Sequence, residues 1–281
     1  MRIFVSIFLL ALALVTVGLY RFMNNDWVLF RQADEASKNG NISQAVASYS
    51  VLWSNGFKPT LVFPRLFASY LKLGQPDKAV QVARKAVFLA QSSAGGSRAI
   101  KDAEDGNSIP EWKARLELAR TLSYTKQYPE SIAEYSRLLQ MGKKLPQAQL
   151  ELARVLFWAG NNNEALIEFL RVPNRVLQKD DRVVIAELFA AASLYVEAEF
   201  EYRLLLAEFP KDVVAREKLA DLLSWGDQYD ESLREYEKIL RQTPDNIRVR
   251  RKYANVLIWS GQHQKAIKEL KKTLSANTTG K

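Results

Sequence analysis

Few residues in this 281-residue chain have side chains suited to chemistry. There is one histidine, His263, and no cysteine. An imidazole titrates near neutral pH and can act as a general base or a metal ligand. Three tryptophans recur in one local setting: VLFWAGNNNEALIEF (155–169), LLSWGDQYDESLREY (222–236) and VLIWSGQHQKAIKEL (256–270). In each, Trp158, Trp225 or Trp259 precedes a short polar turn, and a small residue follows soon after. An indole face can stack on a sugar ring or a flat side chain, or it can simply pack. Arg120 and Arg154 form a further pair at matching places, 34 residues apart. A guanidinium grips a carboxylate in a bidentate fork.

Taken singly, these residues do not assemble a catalyst. Without cysteine there are no disulfides, thiolate metal sites or thiol nucleophiles. No G-x-x-x-x-G-K-[ST], G-x-S-x-G, G-x-G-x-x-G or H-E-x-x-H occurs. His263 stands where equivalent segments carry Ile42, Pro76, Tyr128, Asn162, Tyr195 and Tyr229, which makes it a packing residue. A catalytic histidine would also need an orienting carboxylate and a cleft. Glu117 and Glu151 lie one period apart and are solvated helix faces rather than an acid pair. The expectation is no enzyme, no cofactor and no metal site.

The elements that must position these residues emerge from an internal repeat. The small residues after each turn are Ala45, Ala79, Ser131, Ala165, Ala198, Ser232 and Ala266. Their spacings are 34, 52, 34, 33, 34 and 34, and 52 is one period plus an 18-residue insertion. Twelve residues earlier another small residue recurs: Ala33, Ala119, Ala153, Ala186, Ala220 and Ala254, with Phe67 the exception. Four residues later stands Tyr49, Tyr135, Phe169, Tyr202, Tyr236 or Leu270, with Ala83 the exception. Pro210 and Pro244 close two of the units. A period of 34 with this small–small–large pattern signals paired helices that approach closely at the small residues.

The pattern resembles the tetratricopeptide repeat superfamily over about residues 26–280, as seven units. Lys126 and Ser193 depart from it where a turn glycine usually sits, and the second unit matches poorly. The resemblance implies an all-α right-handed superhelix of about seven helix–turn–helix units. It implies a concave groove lined by the first helix of each unit, and binding rather than a reaction. The endings Leu156-Phe157-Trp158-Ala159-Gly160 and Ile258-Trp259-Ser260-Gly261 resemble a variant found in periplasmic tetratricopeptide domains of exopolysaccharide export proteins.

Outside the repeats, Ile3 to Tyr20 is 18 residues without a charge. As a helix it reaches roughly 27 Å, about the thickness of a bilayer core. Its one A-x-A triplet, Ala11-Leu12-Ala13, falls in mid-run, so an uncleaved transmembrane anchor is expected over a cleaved signal. The expected layout is a membrane anchor over 1–25, repeat units 1–2 over 26–92, an insertion loop over 93–110 and units 3–7 over 111–281. The expected location is a bacterial inner membrane, with a single-pass N-terminal anchor and the bulk of the chain in the periplasm. The alternative is a body facing the cytoplasm. Of the net charge of +9, most lies in residues 241–281, which hold ten basic residues against two acids. Residues 22–240 are close to neutral. With few interleaved aromatics this basic end does not indicate nucleic acid, and it suits anionic lipid, an acidic partner or a polar cap on the last repeat.

The expected partner-binding groove therefore comprises Arg120, Tyr124, Arg154, Trp158, Trp225, Arg248, Arg251 and Trp259. Tyr124 occupies the tryptophan position in its unit, while Lys72 and Ala191 break the series. After Arg120 and Arg154 the same first-helix position holds Glu187, Asp221 and Asn255, so the row would run from basic to acidic to neutral. The expected function is a non-catalytic, membrane-anchored scaffold for protein partners of an envelope machine that makes or exports a polysaccharide. Two other readings remain: direct binding of a polysaccharide or peptide, and an adaptor for assembly of another membrane complex.

Overall fold

The computed structural model describes residues 25–93, 108–142 and 144–278. They form fourteen helices and no strand. In chain order these are α1 (Asn25–Lys38), α2 (Ile42–Ser54), α3 (Pro59–Lys72), α4 (Pro76–Ser93), α5 (Glu111–Tyr124), α6 (Tyr128–Gln140) and α7 (Pro146–Trp158). They continue with α8 (Asn162–Leu170), α9 (Lys179–Ala191), α10 (Tyr195–Glu208), α11 (Val213–Trp225), α12 (Tyr229–Gln242), α13 (Ile247–Trp259) and α14 (His263–Thr278). Odd-numbered helices are the first, and even-numbered the second, of seven pairs. Among the described residues no helix is long and apolar enough to cross a membrane. The expected anchor over residues 3–20 lies outside the described residues, as does most of the insertion.

The repeated small residues explain the pairing. Ala45, Ala79, Ser131, Ala165, Ala198, Ser232 and Ala266 are all at most 1% exposed. Ala33, Ala119, Ala153, Ala186, Ala220 and Ala254 are fully buried opposite them. With no bulk beyond Cβ at the crossing, the two helix backbones come close, and any larger side chain would force them apart. Tyr49, Tyr135, Phe169, Tyr202 and Tyr236 then fill the adjoining space and are buried.

Each pair is closed by the same turn. The N–H two residues beyond the first helix's left-handed residue's predecessor reaches back to the last helical turn: Asn41 N donates to Ala36 O at 2.8 Å, Gln127 N to Leu122 O at 2.8 Å and Gln262 N to Leu257 O at 2.7 Å. This is the Schellman closure, and it requires a left-handed residue just before the donor. Gly40, Gly74, Gly160 and Gly261 supply it, but Lys126 (φ 60°), Ser193 (φ 61°) and Asp227 (φ 58°) adopt it without being glycine. In that last turn Gly226 stands one residue too early, at φ −89°, and Asp227 takes the left-handed conformation.

The chain divides into two compact units between Ala148 and Gln149, in the first turn of α7. In the first unit, Phe30, Tyr49, Leu52, Trp53, Phe63, Leu66, Leu118 and Leu122 belong to one core. Trp27 lies edge-on to Phe30 and Phe57, and Trp53 and Phe67 flank Phe63. Helices α4 and α5, on either side of the insertion, pack directly on each other. Ile109, at the end of the insertion, is buried in that core. In the second unit, Ala220, Leu233, Tyr236, Ile239, Val249, Val256, Leu257 and Ala266 form a core between α11, α12, α13 and α14.

Candidate partner-binding surface

The tryptophan position is the last residue of the first helix in each pair. The Schellman turn that follows lifts the chain away, so this side chain meets solvent rather than the core. Trp158, Trp225 and Trp259 are 55%, 62% and 56% exposed, and Tyr124 is 77% exposed. The indoles therefore do not serve chiefly as internal packing. Trp225 lines a cavity of about 280 Å³ with Glu187, Ala190 and Ala191 from α9 and Lys218 and Leu222 from α11. In the first unit, Tyr124 and Arg120 line a cavity of about 520 Å³ with Phe67 and Leu71 from α3. A further cavity of about 570 Å³ lies along the same two helices, among Phe63, Ile109, Trp112 and Leu116. The same place, between consecutive first helices, is thus open and partly apolar in both compact units.

The charged residues are committed differently. Arg154 Nε and Nη2 donate to the two carboxylate oxygens of Asp181 at 2.7 and 2.9 Å. That hydrogen bonding raises the pKa of the guanidinium above its ordinary value. Asp181 also accepts from Gln178 N, closing a capping box at the start of α9. Arg248 clamps Glu217 with both terminal nitrogens, Nη2 to Oε2 at 2.5 Å. Arg120 reaches Glu117 at 3.4 Å on its own helix. Arg251, on α13 with Arg248, is exposed. Arg120 and Tyr124 thus sit together in the first compact unit, while Arg154, Trp158, Trp225, Arg248, Arg251 and Trp259 belong to the second.

Acids and cations of successive first helices form a ladder that position-by-position comparison of the repeats does not show. Asp34 pairs with Arg65 at 2.8 Å, Glu187 with Lys218 at 2.9 Å, and Asp221 with Lys252 at 2.5 Å. Each pair joins one first helix to the next at a separation of 31 residues. Glu217 takes both Arg248 and Lys252. Burial would raise the Glu217 carboxyl, but hydrogen bonds from Arg248 and Lys252 outweigh it and hold the pKa below the ordinary value. Burial would likewise lower Lys252, yet Asp221 and Glu217 raise it. The acids of the first-helix row are therefore partnered within the chain rather than waiting for a ligand. Beneath them Tyr49 donates to Asp34, and Tyr236 to Asp221. Burial and then the acid neighbour push both phenols well above their ordinary pKa.

A second recurrent pair lies within repeats. Arg115 meets Glu134, Arg182 meets Glu201, Arg216 meets Glu235 and Arg250 meets Glu269, always 19 residues apart. Gln149 and Glu168 take the same places. The sequence carried this signal at the same 34-residue period as the alanines. It was missed because charged residues were read as solvated faces. Among the described residues no cluster of His, Asp or Glu is placed to hold a metal ion.

Comparison with known proteins agrees with this geometry. Tetratricopeptide repeat family models match residues 116–174 and 226–279. No curated protein matches the chain. Among solved structures, a tetratricopeptide repeat protein from Parabacteroides merdae is 15% identical, with a TM-score of 0.52 over 89% of this chain and 93% of that one. YrrB, described as a TPR protein with an unusual peptide-binding site, is 15% identical, with a TM-score of 0.52 over 67% of this chain and 95% of that one. MamA from Desulfovibrio magneticus RS-1 is 15% identical, with a TM-score of 0.51 over 59% of this chain and 97% of that one. At these identities the likeness concerns the fold.

Proposed function

We propose that this tetratricopeptide-repeat chain is a non-catalytic, membrane-anchored scaffold that gathers protein partners in a bacterial envelope. Repeats of this kind generally mediate protein–protein interaction, and no catalytic family is indicated. The observation that carries the reading is the exposed indole row. Trp158, Trp225 and Trp259 each leave more than half their surface in solvent at one repeat position. Large aromatics are costly to expose without use and are enriched where partners are gripped. Arg154 and Arg248 already hold Asp181 and Glu217, so recognition rests first on aromatic contact. The exposed Arg251 adds charge.

The finer placement comes from residues 3–20 and the L-x-W-x-G endings. It is an inner-membrane anchor, a periplasmic body and a complex that makes or exports a polysaccharide. The decisive experiment crosslinks the chain to its neighbours in intact cells and repeats this with Trp225→Ala plus Trp259→Ala. Loss of the captured proteins with unchanged melting supports the reading, and unchanged capture overturns the groove assignment. Protease protection of the repeats in spheroplasts would overturn the topology. A second reading, direct capture of a glycan, follows from the same indoles, because an exposed ring can stack on a sugar face. Quenching or enhancement of tryptophan fluorescence by acidic or neutral oligosaccharides separates the two.

A further inference from the structure

In one second helix the outward row is apolar at all three positions, where α2 and α8 carry only Val51 and Ile167 as large apolar side chains there. Counting from the buried small residue as zero, positions −2, +2 and +6 point away from the paired first helix. This row is Asp77, Gln81 and Lys85 in α4, Asp230, Arg234 and Lys238 in α12, and Gln264, Lys268 and Lys272 in α14, all exposed and polar. In α10 the same three positions are Val196, Phe200 and Leu204, and they are 76%, 60% and 38% exposed. One unit earlier, Ile167 stands at +2 and is also exposed, with Leu170 beside it. The i, i+4, i+8 spacing places the α10 residues in one stripe. Such a run breaks the polar pattern of an outer helix face, and contiguous apolar patches of this kind mark contact sites.

We infer that this stripe is a self-docking surface, at which the α10 helices of two copies pair antiparallel about a two-fold axis through Phe200. The row is complementary to its own reverse, as a two-fold contact requires. Phe200 meets Phe200 of the second copy, and Val196 meets the second copy's Leu204, small against large. Charges follow the same rule. Glu197 falls opposite Arg203 of the second copy. On the neighbouring α12, tied to α10 by Arg203 and Glu231 at 2.7 Å, Asp230 falls opposite Lys238 of the second copy. The same register sets Glu199 opposite Glu201, Glu231 opposite Glu237 and Arg234 opposite itself, like-charged meetings that lie on the flanks of the apolar row. An anionic membrane is a poorer occupant, because α10 carries Glu197, Glu199, Glu201 and Glu208 against the single Arg203. Fourteen residues make a helix roughly 21 Å long, and flanking helices at ~10 Å spacing widen the footprint to roughly 600 Å² per copy. That is near the lower end for specific interfaces, so the pairing depends on concentration.

The absence of native cysteine makes the test direct. The full chain in its membrane carries single substitutions and is treated with a mild oxidant. Phe200→Cys is expected to give a covalent dimer, with Phe88→Cys, equally exposed on α4, as the reference. A preformed contact raises the effective thiol concentration, so the yield should exceed the reference on the order of tenfold. Val196→Cys mixed with Leu204→Cys should crosslink to each other in preference to themselves. Adding Phe200→Glu to that mixture should remove the crosslink. A Phe200→Cys yield no higher than that of Phe88→Cys overturns the proposal. So does Val196→Cys pairing with itself in preference to Leu204→Cys.

Discussion

Ser232 donates a hydrogen bond to the main-chain oxygen of Ala220 at 2.7 Å, across the closest approach of α11 and α12. Ser131 does the same to Ala119 at 2.7 Å, one hundred and one residues earlier. Both residues of each pair are fully buried. The contact is short because neither side has bulk to spare, and this sets the order of mutational costs.

Ala220→Leu should be among the most damaging substitutions, since over-packing at a closed crossing costs about 1–3 kcal/mol or more. Ser232→Ala should cost only about 1 kcal/mol, the net value of a typical hydrogen bond. Tyr236→Ala should cost about 3–5 kcal/mol, as for other large buried aromatics. Urea unfolding of the three variants gives the ranking.

The indoles should behave in the opposite way. Trp158→Ala, Trp225→Ala and Trp259→Ala are surface truncations, and each should change stability by less than about 1 kcal/mol. Thermal melting next to the capture experiment shows whether loss of a partner occurs without loss of fold.

Three non-glycine turn residues offer gains. A left-handed conformation costs an ordinary L-residue about 1–2 kcal/mol, part of which glycine returns as unfolded-state entropy. Lys126→Gly and Ser193→Gly should each stabilise by about 0.5–1 kcal/mol. Gly160→Ala should destabilise, because its φ is +82°. Melting temperatures of the three variants, measured together, test the sign.

Acid should loosen the array through its paired carboxylates. Burial alone would raise Glu217, Glu235 and Glu269, but the cations hydrogen-bonded to each hold them below the ordinary value. A carboxyl depressed in the folded state contributes stability that is complete above its unfolded pKa and is lost as pH falls through the folded pKa. The melting temperature should therefore hold above about pH 4.5 and fall below it. Glu217→Gln should lower the plateau and flatten part of that fall.

Much of this was legible in the sequence because steric exclusion leaves a periodic trace. Ala or Ser recurs at the closed helix crossings, with Phe67 the one exception, so the small residues gave seven pairs in correct register. Charge pairing left a weaker trace. Arg154 and Asp221 looked like members of a groove row, and their partners, Asp181 and Lys252, lie 27 and 31 residues away on the next first helix. Offsets that differ from the repeat length do not show in a column of equivalent positions. Gly226 beside Asp227 shows a further limit: glycine is permitted in many conformations, so its presence does not fix which residue turns the chain.

The acid-to-cation ladder also makes the repeats into exchangeable parts. Removing residues 213–246, one 34-residue period, would join Asp212 to Ile247. Asp212 caps α11 by accepting from the third residue beyond it, and Asn246 caps α13 in the same way, so the seam keeps a working cap. Glu187 would then meet Lys252 where it now meets Lys218. A shorter relative could arise by deleting that whole unit while keeping every remaining helix correctly addressed to its neighbour.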